Sequence, residues 1–168
     1  MDNNISLQVT GSNSSLLAML GYSSLQVGQK YLTLAADESK TLTPMQLIKL
    51  VYLAHGWMLA TASRPLLRDS VEAWQYGPVL PDLYEKIKSC RSHPVIGPLS
   101  DDSDQLDELA TIVIGEVYKL YGHLDGISLS ALTHQEGTPW DITWKSRGKS
   151  GVISDDLIES HFRSLAAE

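Results

Sequence analysis

Side chains that could do chemistry or bind a partner are concentrated in three short segments of the chain. They are residues 49–57 (KLVYLAHGW), 72–81 (EAWQYGPVLP) and 132–140 (LTHQEGTPW). Trp and Tyr contribute much of the binding energy at protein interfaces. Among the residues of these segments, the leading candidates for a partner-binding surface are therefore Trp74, Tyr76 and Trp140. Glu72, if it is buried, needs a hydrogen-bond donor such as a His or Lys side chain.

The nearest pairing of a nucleophile with a base is Cys90 with His93. A catalytic nucleophile needs an activating base within hydrogen-bonding distance, yet this pair lies between a predicted helix end and a Pro-containing loop. A free cysteine more often behaves as a small apolar side chain. The sequence also lacks the glycine patterns of phosphate-binding loops and nucleophile elbows. We therefore expect no enzymatic activity.

The five histidines do not have the spacing of a metal site. No two of them are four residues apart, as the histidines of a helical zinc motif are, and the single cysteine excludes a thiolate cluster. Structural zinc requires four ligands, so we expect neither a metal nor another cofactor. An alternative hypothesis stays open: His55, Glu72 and His134 could meet in one small-molecule or catalytic pocket.

The charge of the chain argues against nucleic acid as its main partner. The net charge is −7, which opposes non-specific binding to phosphates. The segment TPMQ at residues 43–46 could begin a recognition helix, but that helix is too apolar to lie in a groove. The basic residues Lys145, Arg147 and Lys149 form a short run that we expect in a solvated loop. Binding to DNA is thus a weaker alternative to binding protein.

A central helix is predicted after Thr43, which can cap it, with Pro44 in its first turn. Its apolar residues include Leu47, Leu50, Val51, Ala54, Trp57 and Met58. A helix that is apolar on most sides is buried by its neighbours. Gly56 in mid-helix costs about 1 kcal/mol relative to Ala, which suggests that another backbone packs closely there.

The rest of the pattern predicts further helices at residues 24–37, after Pro81, from the acidic run 101–108 to Gly122, from Ser128, and from Ser154 to the end. A small β-ribbon is expected with its turn at residues 68–70, ended by Gly77-Pro78. Pro139-Trp140 is expected to close a short helix. The predicted fold class is mainly α, a compact bundle of about six helices with a small β-hairpin insertion. Residues 1–22 are expected to form an N-terminal arm and 23–168 the domain.

The motifs LTPMQLIKLVYLAHGW, EAWQYGPVLPDLY and LTHQEGTPW resemble, in order and spacing, those of the Panacea-domain antitoxins, a family that includes SocA-like and GepA-like phage and prophage proteins. The resemblance covers residues 25–140. It implies a helical antitoxin that neutralises a cognate protein toxin by direct contact. The motif positions that it offers as partner-binding candidates are Lys49, Tyr52, His55, Gly56, Trp57, Glu72, Trp74, Tyr76, Gly77, Pro78, Pro81, Thr133, His134 and Trp140.

The resemblance leaves the mechanism open. One family member is described as a proteolytic adaptor, so a host protease is a second candidate partner. A homo-oligomer of this chain is a third candidate assembly. No apolar run reaches the length of about 18 residues that spans a bilayer, and residues 1–11 do not have the pattern of a secretory signal. We therefore expect a cytoplasmic protein without a membrane partner.

Overall fold

The computed structural model describes residues 20–102 and 105–168, which contain seven α-helices and a three-stranded antiparallel sheet. The elements are α1 (Ser24–Asp37), α2 (Pro44–Ala62), β1 (Val71–Trp74), β2 (Gly77–Val79), α3 (Pro81–Ile87), a 3-10 turn (Lys88–Cys90), α4 (Glu108–Tyr121), α5 (Gly126–Thr133), α6 (Pro139–Arg147), β3 (Gly151–Ile153) and α7 (Asp155–Ala166). The predicted class, mainly α with a small β insertion, is confirmed. No helix of these residues is both long enough and apolar enough to cross a membrane.

Helix α2 is the centre of the fold, as predicted. Thr43 caps it by accepting the Gln46 backbone N–H, and the Gln46 side chain accepts the Thr43 N–H in return. Helices α1, α3, α4, α5 and α7 and strand β2 all pack against it. Because neighbours surround it, thirteen of its nineteen residues are buried, and every element described below is positioned relative to α2.

The chain enters the fold through Tyr22, which had been assigned to the expected arm. Tyr22 is buried, forms a parallel β-bridge with Leu67, and donates a hydrogen bond from its hydroxyl to Asp107 (2.6 Å). Arg64 donates to the same carboxylate at 2.7 Å. These contacts join the start of α1, the end of α2 and the start of α4. Residues 1–19, the rest of the expected arm, lie outside the described residues.

The sheet differs from the predicted ribbon in two respects. Its hairpin turn is at Gln75-Tyr76, because Trp74 pairs with Gly77, whereas the turn had been expected at residues 68–70. Gly77-Pro78 therefore begins β2 instead of ending the ribbon. A third strand, β3, pairs with β1 on its other edge. No local pattern indicates β3, because its pairing partner is distant in sequence.

The prediction that Pro139-Trp140 closes a helix is wrong. Thr138 caps a new helix, α6, by accepting the Asp141 N–H, and Pro139 lies in its first turn, where a proline loses no hydrogen bond. Lys145 and Arg147 consequently lie in the last turn of α6 rather than in a loop.

The acidic run at residues 101–108 is only partly helical. Asp107 caps α4 and Glu108 lies in its first turn, but Asp101 and Asp102 precede the helix in a loop. Asp104 lies outside the described residues. The favourable interaction with the helix dipole is thus limited to the last two acidic residues of the run.

Candidate functional site

Three alternate carbonyls of the β1–β2 hairpin are each held by a side chain from a different helix. The bonds are Lys49 Nζ to Pro78 O (2.9 Å) from α2, Ser130 Oγ to Tyr76 O (2.7 Å) from α5, and Trp140 Nε1 to Trp74 O (2.7 Å) from α6. Carbonyls with such partners keep their hydrogen bonds when they are buried. The three sequence segments therefore converge on one feature, the turn at Gln75-Tyr76.

Gly77 allows these helices to approach the turn. Its φ of +106° is a conformation that residues with a side chain rarely adopt. A Cβ built on Gly77 would lie 2.7 Å from Lys49 Nζ and 3.3 Å from Thr133 Oγ1. The Thr133 hydroxyl itself donates to Leu129 O at 2.9 Å. Any larger residue at position 77 would push apart the side chains that hold the turn.

Lys49 is the charged group most affected by this packing. Its side chain is buried, and burial lowers its pKa from 10.5 to about 7. Within the described part of the chain, no carboxylate forms an ion pair with it, and its one hydrogen bond is to Pro78 O. The amine therefore contributes a donor to the hairpin while lacking the countercharge that usually accompanies a buried lysine.

Aromatic rings flank the turn on both sides. Trp74 packs edge-on against Tyr84 of α3, with ring centroids 4.8 Å apart, and its indole N–H donates to Glu72 at 2.8 Å. The Glu72 donor is thus a tryptophan, not the His or Lys considered from the sequence. On the other side, Trp140 stacks on Trp144 and packs edge-on against His134 at 5.3 Å. Each of the two tryptophan side chains is thus held by packing of its ring and by a hydrogen bond from its indole N–H.

An open groove of about 510 Å³ lies beside the turn. Its apolar and aromatic lining comes from α2, the hairpin and α3: Pro44, Met45, Ile48, Val79, Trp74, Tyr76 and Tyr84. Tyr76 is 61% exposed at its edge, although its carbonyl is held by Ser130. An exposed aromatic ring on a rigid backbone next to an apolar groove is an arrangement suited to binding another polypeptide.

The remaining motif residues of α2 lie at its contact with α7, away from the groove. Tyr52 and Trp57 both pack edge-on against Phe162, with ring centroids 5.9 and 5.4 Å from it. A Cβ on Gly56 would lie 2.3 Å from the same ring. Gly56 therefore admits an aromatic side chain, whereas the sequence had suggested a second backbone. We call this contact the α2–α7 junction.

His55 belongs to the same junction. Its Nδ1 accepts the Leu67 backbone N–H (3.2 Å), which leaves Nε2 as the donor to Asp155 at the start of α7 (2.9 Å). His134 instead bonds to the Ser130 carbonyl, and Glu72 accepts from Trp74. The structure thus gives the three residues of the hypothetical pocket separate partners and does not bring them together.

The other chemical candidates also have ordinary surroundings. Among the described residues, no three His, Cys, Asp or Glu side chains cluster as ligands of a metal ion. Cys90 is a half-buried free cysteine at the end of the 3-10 turn, and His93 reaches it through a backbone bond from His93 N to Cys90 O (2.9 Å). Pro81 occupies the first turn of α3, where it helps to start the helix, and it does not line the groove.

Sequence reasoning missed Ser130, which holds the turn, and several residues that line the groove. Ser130 is one helical turn before His134, a spacing that could have indicated a shared face. Tyr84 falls within the helix predicted after Pro81, but nothing in the sequence indicated that its ring would line a groove. For Met45 and Arg91, which complete the lining with Lys149 and Ser150, the sequence holds no comparable signal, because only the tertiary fold brings these segments together.

Two comparisons with known proteins identify the family of the chain. Residues 47–141 match the family model described as "Antitoxin SocA-like, Panacea domain", a span that contains every motif residue from Lys49 to Trp140. The protein named Antitoxin SocA, from Caulobacter vibrioides (strain NA1000 / CB15N), is 32% identical over 134 residues, which cover 71% of each chain. No solved structure matches the chain.

Proposed function

Since the chain belongs to the SocA-like, Panacea-domain antitoxin family, we propose that it binds a cognate protein toxin and neutralises it by direct contact. The observation that supports this role is the exposed Tyr76 ring on a turn held by three helices. A surface already ordered before binding loses little conformational entropy on association. The groove beside Tyr76 is the proposed contact surface, and the cytoplasm is the proposed place of action.

The α2–α7 junction is not part of this proposal as a contact surface. Its motif residues Tyr52, His55 and Gly56 are buried and occupied by contacts within the fold. The candidates that we retain for toxin contact are therefore the residues of the hairpin turn and groove, Trp74 and Tyr76 first among them.

Co-expression with the protein encoded by the adjacent gene tests the proposal. We expect that protein to arrest growth alone and to become harmless together with this chain. Tyr76→Ala should reduce the rescue, whereas Ile96→Ala, which truncates an apolar side chain that is 84% exposed in another loop, should not. An adjacent protein that is harmless by itself, or that never copurifies with this chain, would contradict the proposal.

The same cells distinguish neutralisation from proteolysis. Direct neutralisation leaves the amount of toxin unchanged while growth recovers, because the toxin persists in a complex. An adaptor would instead shorten the half-life of the toxin in the presence of host proteases. A fall in toxin abundance that accounts for the rescue would overturn the direct mechanism.

A further inference from the structure

The groove beside the hairpin turn has a charge opposite to that of the whole chain. The net charge of the protein is −7, yet the exposed charged side chains that line the groove are Arg91 and Lys149, without an Asp or Glu among the lining residues; Lys49 also lines it, but burial lowers the pKa of its amine to about 7, so it adds only part of a charge. Arg91 and Lys149 are exposed, and Lys49 lies buried in the wall. The groove is therefore a local cationic site in an acidic protein.

The two exposed cations, Arg91 and Lys149, also differ from most of the lysines and arginines outside the groove. Elsewhere, six lysine and arginine side chains form ion pairs with carboxylates: Lys40, Arg64, Lys88, Lys119, Lys145 and Arg163. Over residues 20–102 and 105–168, the cations of the groove form no ion pair of this kind. Arg91 and Lys149 are therefore available to pair with carboxylates of a bound partner.

Backbone strain is found at the same place. Arg91 (φ +54°) and Ser150 (φ +62°), which both line the groove, are two of four non-glycine residues with positive φ in the described residues. Each is held there by a backbone bond, Arg91 N to Lys88 O (3.1 Å) and Ser150 N to Ala73 O (2.8 Å). Strain of this kind persists only where the surrounding structure enforces it, and it is frequent at binding sites.

From these observations we propose that the groove binds an acidic segment of the partner protein, with carboxylates of that segment on Arg91 and Lys149. An apolar or aromatic side chain of the same segment packs between Trp74, Tyr84 and Met45. This inference rests on the proposed function and specifies the chemistry of the surface that the toxin presents. Complementary charge speeds encounter and fixes the register of a complex, and dissolved salt screens its effect.

Charge reversal in the groove tests the inference with the purified protein of the adjacent gene as the probe. The variant Arg91→Glu/Lys149→Glu should bind that protein about 100-fold more weakly than wild type, because like charges then face each other across the interface. Wild-type affinity should fall as salt is raised, whereas the affinity of the variant should be unchanged or rise, because salt then screens a repulsion. The matched control is Arg68→Glu/Lys119→Glu, which changes the net charge equally at exposed positions away from the groove; the Lys119–Glu116 ion pair that it removes is exposed to solvent and contributes little to stability. Thermal melts check that all chains are folded.

A second readout locates the contact directly. A carbodiimide joins amines only to carboxylates that touch them, so the wild-type complex should give a cross-link between Lys149 and an Asp or Glu of the partner. A reversed groove that binds within twofold of wild type, or a complex cross-linked through Lys119 and not Lys149, would overturn the inference and leave the proposed function intact. A wild-type chain that does not bind the adjacent protein at all would overturn both.

Discussion

The α2–α7 junction and the groove beside the hairpin turn contain residues of the same sequence motifs, yet they serve different ends. At the junction, the ring of Phe162 packs against Tyr52, Gly56 and Trp57. Both ring nitrogens of His55 have hydrogen-bond partners. At the groove, the backbone is held equally well, but the Tyr76 ring is exposed, and the Arg91 and Lys149 side chains form no ion pair or hydrogen bond within the described residues. The side chains of the junction find all their contacts within the fold. The groove has an ordered backbone, but its exposed side chains are free to contact a partner.

Membership of a motif therefore does not by itself identify a contact residue. A family can keep a residue type for the fold or for the partner, and the side chain's own contacts distinguish the two. Burial with satisfied hydrogen bonds indicates the first role; exposure on a fixed backbone indicates the second. Substitutions should therefore separate the two regions, affecting folding at the junction and binding at the groove.

Removing the Phe162 ring should have the strongest effect on stability. Phe162→Ala takes away the surface against which Tyr52 and Trp57 pack, and such truncations typically cost about 3–5 kcal/mol. Urea unfolding measures the loss. Leu165→Ala, on the same helix but 39% exposed, should cost less than about 1 kcal/mol. Equal losses for the two variants would show that the junction does not depend on the ring.

Lys49 should make stability depend on pH. The amine has a pKa of about 7 in the folded chain and 10.5 as the reference value for the unfolded chain. Below pH 7 both states carry the proton, so the cost of burial is constant; between pH 7 and 10.5 only the unfolded state carries it, so stability rises with pH. The slope approaches about 1.4 kcal/mol per pH unit.

The comparison of wild type with Lys49→Met isolates this effect, because all other titrating groups are shared. Urea unfolding between pH 6 and 10 should show wild type gaining stability relative to the Met variant as the pH rises. A difference between the two chains that stays constant over that range would mean that the amine is solvated in the fold.

A methyl group at Gly56 tests the junction with a smaller change. Gly56→Ala places a Cβ 2.3 Å from the Phe162 ring, and overpacking of this kind costs about 1–3 kcal/mol. In Gly115→Ala the new Cβ meets nothing within 4 Å, so that helix should gain up to about 1 kcal/mol. Thermal melts compare the two variants, and similar melting temperatures would refute the close approach of Phe162.

Tyr76→Ala should change stability least. The ring is exposed, and the bond from Ser130 to the Tyr76 carbonyl is kept by any residue, so the loss should be within about 0.5 kcal/mol. Affinity for the adjacent protein should nevertheless fall at least about tenfold, as at a binding hot spot. A variant that unfolds readily yet still binds would reverse the assignment of the two regions.

Much of the fold could be predicted because caps and periodicity are local. The structure confirms the bounds of α1, the Thr43 cap of α2 and the Ser154 start of α7, where side chains next to the helix end satisfy its free N–H groups. The β-turn and α6 were mistaken because Gly-Pro and Pro-Trp mark either an end or a beginning. The pairing of β1 with β2 shows that Gly77-Pro78 begins a strand, and the cap at Thr138 shows that Pro139-Trp140 begins a helix.

The candidate site was less accessible to sequence reasoning. The exposed Tyr76 and the fixed Trp74 could be named from residue type, but their different surroundings could not. Arg91 and Lys149 come from segments far apart in sequence, and the groove between them exists only after α2, the hairpin and α3 have packed. Long-range packing of this kind has no period along the chain.

Hydrogen exchange on the complex with the adjacent protein shows which of the two regions contacts the partner, because it reports on both in one experiment. We expect backbone amides of the turn at Gln75-Tyr76 and of the segment around Arg91 to exchange more slowly in the complex than in the free chain. Amides of the α2–α7 junction should exchange at the same rate in both. Protection that appears at the junction and not at the turn would contradict the account.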